Sequence, residues 1–126
     1  MKIFSRLDKH KYKNEIFKLM QNGFNEPLSW LEFFFKELFE KYEVFGVLEN
    51  TKLISIAFVS DKTLIFNAQK FYCPLISYVA TDKNFLRQKN AFNLLAHIKK
   101  FYVQKNADGL YLCPTNPNVY ISSGFE

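Results

Sequence analysis

Tyr78-Val79-Ala80-Thr81-Asp82-Lys83-Asn84-Phe85-Leu86-Arg87-Gln88-Lys89-Asn90-Ala91 is the stretch whose reading decides the fold. A long apolar run, Phe71 to Ala80, ends just as it begins. A short polar loop follows. Then Ala91, Leu94, Leu95, Ile98 and Tyr102 recur at the i, i+3, i+4, i+7, i+11 spacing of one helical face. The run before the loop is apolar on both faces after Pro74, which predicts a strand central in its sheet. Asp108-Gly109 predicts the helix stop, and Leu110 to Cys113 reads as a further strand. Strand, helix and strand in that order imply a right-handed parallel crossover.

Working outward, Val44 to Leu48 and Leu53 to Val59 are apolar runs joined by the turn Glu49-Asn50-Thr51-Lys52, a hairpin signature. Thr63 to Asn67 reads as a short additional strand. Two helices precede them. The first is expected from about Asp8 to Asn22, with Tyr12, Ile16, Leu19 and Met20 in helical spacing and Gly23 as a left-handed terminator. The second opens on a capping box, Ser29-Trp30-Leu31-Glu32, and should run to about Tyr42. Its apolar positions spread over more than one face, so it should be well buried. Asn118 to Ser123 suits one last helical turn. The fold class that follows is α/β (α+β): a mixed β-sheet flanked by helices on both faces.

Composition narrows the function. With 126 residues the chain fits one domain, and 48% hydrophobic residues, 15 of them Phe, can build one core. No apolar run approaches the roughly 18 residues of a membrane helix. The basic stretch Met1 to His10 has no apolar run after it, as a signal peptide would require. Cys73 and Cys113 make neither a metal pattern nor a disulfide framework, and a reducing cytoplasm is the expected location. His10 and His97 lack metal-spacing partners, so no metal is expected. Cys113 has no accompanying His arrangement and reads as a small buried residue. The net charge is +5, with +1 in residues 1–60 (nine basic, eight acidic) and +4 in residues 61–126 (eight basic, four acidic). Such an excess suits an anionic partner, either nucleic acid or a small polyanionic cofactor. No groove-reading or base-stacking motif accompanies it, so nucleic acid is the less favoured of the two.

The loop carries the chemistry. Free backbone N–H groups at a helix start, with the helix dipole, make an anion site suited to a pyrophosphate. Lys83, Arg87 and Lys89 add three positive charges there. The same residues also suit an ordinary strand–helix loop with solvated lysines. Beyond this, the segment resembles the GNAT N-acyltransferases, which use acetyl-CoA. Val79-Ala80-Thr81 matches the end of the family's strand, Phe85 its aromatic position, Ala91 its last small position, and Leu94-Leu95 its helix. The hexapeptide Leu86-Arg87-Gln88-Lys89-Asn90-Ala91 departs from the family's (Arg/Gln)-x-x-Gly-x-(Gly/Ala): Leu86 replaces the leading residue and Lys89 the central glycine. A glycine there lets backbone approach the phosphates closely. Two readings of Lys89 stay open: it narrows the site, or it supplies charge to it.

The stretch Leu112-Cys113-Pro114 to Tyr120-Ile121-Ser122-Ser123-Gly124-Phe125-Glu126 is similar to the family's later strand, tyrosine and Gly-Phe. This ending is most like the branch of the Eis-type acetyltransferases. The resemblance implies that Tyr78, Val79, Ala80, Leu86, Arg87, Gln88, Lys89, Asn90 and Ala91 bind acetyl-CoA. It also implies that Tyr120 is the general acid for the departing thiolate, a role open to a phenol of pKa near 10. Backbone groups of Ser77 to Ala80 would serve pantetheine, and an N–H near Val79 would polarise the acetyl oxygen. Glu43 and Glu49 are base candidates by sequence position alone. The acceptor would be a small molecule or an amino group on a larger one.

Three functions compete: an N-acetyltransferase, a binding or regulatory module of the same fold, and a nucleic-acid-binding domain. Because the chain ends at the Gly-Phe landmark, the resemblance further implies a domain, residues 1–126, lacking the family's last strands. The strand Leu110 to Cys113 would then be an open edge, which predicts a homodimer covering it.

Overall fold

A computed structural model describes residues 1–23 and 27–112. The sheet contains β1 (Lys2–Arg6), β2 (Glu43–Glu49), β3 (Lys52–Ser60), β6 (Leu75–Thr81) and β7 (Tyr111–Leu112), side by side in that order. All neighbours are antiparallel except β6 and β7, which are parallel. The parallel unit read from the sequence is therefore present, with β6 flanked by strands on both sides. Between β3 and β6 the chain makes a separate two-stranded ribbon, β4 (Thr63–Phe66) and β5 (Gln69–Tyr72).

The helices divide between the two faces. On one lie α1 (Lys13–Gly23) and α2 (Leu28–Phe33), whose Ile16, Met20, Leu31 and the following Phe34 bury against Val44, Ile56 and Phe58 of the sheet. On the other lies α3 (Asn90–Gln104), with Leu94, Leu95, Ile98 and Tyr102 against Phe45, Val47, Ile54 and Val59. Alternate residues of β3 thus serve opposite cores, as strand geometry demands. All of β3 beyond Lys52 is buried, which fits its continuous apolar run.

Several local expectations are corrected. Lys2–Arg6 is a strand, although only Phe4 among its neighbours packs into a core and Ile3 stays 55% exposed. Its five residues are held by the ladder to β2 rather than by their own apolar pattern. The expected strand Phe71 to Ala80 is two strands, broken at Cys73-Pro74, because proline has no N–H to give a ladder. Thr63 to Asn67 pairs only with β5 and stays out of the main sheet. Gly23 is the last residue of α1 and does not adopt a left-handed φ. Its role is close approach: a Cβ there would lie 3.1 Å from Ala80 Cβ.

The capping box is not formed. Pro27 precedes α2, and no side chain caps it. After Phe33 the helix widens into a π-turn, Phe34–Leu38, in which Phe39 N–H donates to Phe34 O, and then tightens into a 3-10 turn, Phe39–Lys41. The widening brings Phe34, Phe35 and Phe39 inward together, with Phe35 and Phe39 stacked at 4.9 Å. Helix α3 ends earlier than Asp108-Gly109. Asn106, at φ 62°, takes the left-handed position, and Ala107 N–H and Asn106 N–H bond back to Tyr102 O and Val103 O. This is a Schellman closure with asparagine in glycine's usual place. The last strand is shorter than Leu110 to Cys113 within the described residues. Cys113, Tyr120 and the expected turn at Asn118 to Ser123 lie outside them.

Candidate functional site

The site is built where β6 leaves regular geometry. Ile56 pairs with Ala80 and Phe58 with Ser77, so one residue of β3 faces two of β6, Tyr78 and Val79. This is a β-bulge, which takes a residue out of the ladder and re-aims the backbone. Tyr78 has φ 54°, a conformation bulky residues rarely adopt. Packing holds it there, with its ring 5.2 Å from Phe34 and 6.1 Å from Phe58 between centroids. On the other side of β6, the described ladder to β7 covers only Leu75 and Ile76. Just before the bulge, Ser77 Oγ is buried without a hydrogen-bond partner among the described residues. A polar ligand running along this strand would satisfy it.

Two hollows flank the loop that follows. The first, about 380 Å³, lies between the end of α1 (Leu19, Asn22, Gly23) and Val79, Ala80, Thr81, Asp82, Lys83, Asn84 and Leu86. The missing side chain of Gly23 helps to keep it open. The second, about 280 Å³, is lined by Thr81, Phe85, Leu86, Arg87, Lys89, Asn90, Ala91 and Phe92. Thr81 and Leu86 border both, so the two hollows adjoin.

The loop itself is ordered by short-range bonds. Asp82 caps a 3-10 turn, Lys83–Phe85, by accepting from Asn84 N–H at 2.9 Å. Lys52 reaches Asp82 at 3.7 Å and lies 5.1 Å from the centre of the Phe85 ring. Below the loop, Ser55 Oγ bonds to Ala80 O and to Thr81 Oγ1, which ties β3 to the end of β6. Arg87 and Lys89 both have left-handed backbone, φ 63° and 60°. The position where the family carries glycine therefore keeps the conformation glycine favours, although a lysine occupies it. Helix α3 starts directly after Lys89, and Asn93 N–H is the first to bond back, to Lys89 O. The amides of Asn90, Ala91 and Phe92 are helix-start donors. Lys83, Arg87 and Lys89 are exposed and form no ion pair among the described residues.

The structure brings most of the expected cofactor residues together. Val79, Ala80 and Leu86 line the first hollow, and Leu86, Arg87, Lys89, Asn90 and Ala91 the second. Gln88 is exposed and lines neither, while Tyr78 supports the bulge from the aromatic core. Glu43 stands at the far end of the sheet, opposite Val59 and beside Arg6. Glu49 is at the near end but lines neither hollow. His97 packs against Phe45 on the α3 face, and burial lowers its pKa. No metal-binding group of His, Cys, Asp or Glu occurs among the described residues, and none of their helices is long and apolar enough to cross a membrane. Sequence reasoning does not mark Asn22, Gly23 and Lys52 for the site, because only the fold brings them to this end of the sheet, and Asp82, though within the quoted loop, is given no role by it.

A cationic loop with helix-start amides beside a hollow of mixed polar and apolar lining, with displaced backbone between them, suits a ligand that is phosphorylated at one end and offers hydrogen-bonding groups along its length. Residues 5–126 match the family described as Acetyltransferase (GNAT) domain. No match was found among curated proteins. Among solved structures, a probable N-acyltransferase from Enterococcus faecalis V583 superimposes with a TM-score of 0.90 at 20% identity. It is matched over 100% of this chain and 32% of its own, so the chain spans about a third of that protein's length. Glucosamine-6-phosphate N-acetyltransferase from Arabidopsis thaliana gives 0.72 at 14% identity, over 100% of this chain and 92% of that one. An aminoglycoside N-acetyltransferase solved in complex with CoA gives 0.74 at 14% identity, over 100% and 88%. At these identities the structural likeness establishes the fold.

Proposed function

Because the chain belongs to the GNAT acetyltransferase family, we propose that it transfers an acetyl group from acetyl-CoA to an amine, as a single domain working in the cytoplasm. The observation that carries this reading is the bulge at Tyr78 and Val79 placed directly before a left-handed cationic loop and a helix start. Acetyl-CoA supplies the activated thioester carbonyl. Its phosphates are held by Lys83, Arg87 and Lys89 and by the first amides of α3. The strand from Ser77 to Ala80 offers its backbone, and Ser77 Oγ its unpaired hydroxyl, to the pantetheine amides. An N–H released near Val79 polarises the acetyl oxygen. The acceptor nitrogen forms the new C–N bond as the C–S bond breaks; Tyr120 O–H gives the departing thiolate its proton, and the proton shed by the nitrogen passes through water to restore the Tyr120 hydroxyl.

The likeness of the C-terminal sequence to the Eis-type branch is part of this reading, and so is the acceptor class, a small amine or an amino group on a larger molecule. We also propose that a second copy pairs along the β7 side of the sheet, where Tyr111 is 49% exposed. Sedimentation at tens of micromolar should show a dimer; a monomer refutes the pairing.

Calorimetric titration with acetyl-CoA tests the function. Saturable heat and a raised melting temperature are expected. Neither effect at millimolar ligand would remove the enzyme reading and leave a GNAT-fold binding module in its place. With binding established, Tyr120→Phe should lower turnover far more than cofactor affinity. Unchanged turnover would take Tyr120 out of its role.

A further inference from the structure

Two left-handed, non-glycine residues in one short loop need a surrounding structure that over-determines them. Asn90 provides part of it. Its side chain belongs to a residue only 2% exposed, and Nδ2 donates to Phe85 O at 3.0 Å, joining the two ends of the loop. Its Oδ1 accepts from Lys2 Nζ at 2.8 Å, and the same ammonium lies 3.4 Å from Gln88 Oε1. The amide orientation is forced, because an ammonium only donates and a carbonyl only accepts. Lys2 sits on the outer strand β1, opposite Glu49 in register, yet it forms no ion pair among the described residues. Its charge is spent on the loop.

We propose that Lys2 is a positioning residue for the anion loop: through Asn90, the next residue in the chain, it holds Lys89 in the backbone that glycine would adopt unaided. The consequence for ligand binding rests on the acetyl-CoA reading, whereas the consequence for the loop does not. Two readouts separate them: amide hydrogen exchange over residues 86–92 in the free protein, and acetyl-CoA titration. Each is made on the wild type, Lys2→Met, Lys89→Gly and the double variant. Lys2→Met should speed exchange and weaken acetyl-CoA binding by about tenfold each, the scale of one charge-assisted hydrogen bond. In the Lys89→Gly background the same substitution should change either by no more than about twofold, because glycine needs no enforcement. Equal effects in both backgrounds would overturn the proposal and make Lys2 a direct charge on the ligand. No effect of Lys2→Met on exchange would also overturn it. Coupling in exchange with no acetyl-CoA binding by the wild type would uphold the clamp and refute the cofactor.

Discussion

The bulge in β6 makes a prediction whose sign is contrary to ordinary strand behaviour. Tyr78→Ala and Tyr78→Gly both delete the same ring, and so both lose its packing on Phe34 and Phe58. For a partly buried tyrosine that loss is about 2 kcal/mol. The two variants differ only in backbone. In a regular strand, alanine is more stable than glycine by roughly 0.5–1 kcal/mol. At φ 54° the order reverses. Alanine carries a left-handed penalty of about 1–2 kcal/mol, and glycine gives back about 0.4–1 kcal/mol in unfolded-chain entropy. Tyr78→Gly should therefore be more stable than Tyr78→Ala by about 0.5–1 kcal/mol. For a chain of this size that is a melting difference of about 2–4 °C. Ala57→Gly, on the regular strand opposite, should be destabilising and is the control. Urea unfolding followed by circular dichroism gives all three values. If Tyr78→Ala proves the more stable of the pair, the left-handed bulge is refuted, and with it the displaced N–H on which the proposed acetyl transfer depends.

Other outcomes follow from the same physics. Thr51 closes the β2–β3 hairpin at φ 74°, an unusual value for a β-branched residue, so Thr51→Gly should raise stability by about 1 kcal/mol in thermal melts. Phe34, fully buried and ringed by Phe35, Tyr42, Phe58 and Tyr78, should cost about 3–5 kcal/mol as Phe34→Ala in urea unfolding. Burial, helped by the hydrogen bond to Asp61, raises the Tyr72 pKa to about 12. The folded value lies above the ordinary one, so its contribution is whole below pH 10 and is lost as pH rises toward 12. Tyr72→Phe should flatten the alkaline fall in stability over that window.

Much of this architecture is legible in the sequence because periodicity and burial coincide. The face of α3, the Glu43–Ser60 hairpin and the parallel strand–helix–strand unit each follow from apolar spacing. Strand β1 is not legible. It lies at the sheet's edge, and its pairing with β2 joins residues 39 to 47 apart in sequence. The π-turn is equally silent, since the six phenylalanines from residue 33 to residue 58 specify an aromatic core without specifying how the helix opens to admit them. Within the site, chemistry was easier to read than conformation. The cations and the small residues announce themselves. The left-handed backbone at Tyr78, Arg87 and Lys89 does not, because residue type there argues against the geometry that packing imposes.

The β4–β5 ribbon has a bearing on how this chain can be altered. At its base, Cys73 N–H donates to Lys62 O at 2.8 Å, so the points where the ribbon leaves and rejoins the sheet are fixed side by side. β3 and β6 are thus the arms of an ordinary antiparallel hairpin, and the ribbon is an ornament at its tip. Its Ile65 and Phe66 are 71% and 67% exposed and contribute to neither core. Tyr72 at its base packs against Tyr102 and must stay, but a short turn could replace the ribbon beyond it, or a label or peptide could be grafted at Asn67-Ala68, with the anion loop at the opposite end of β6 left as it is.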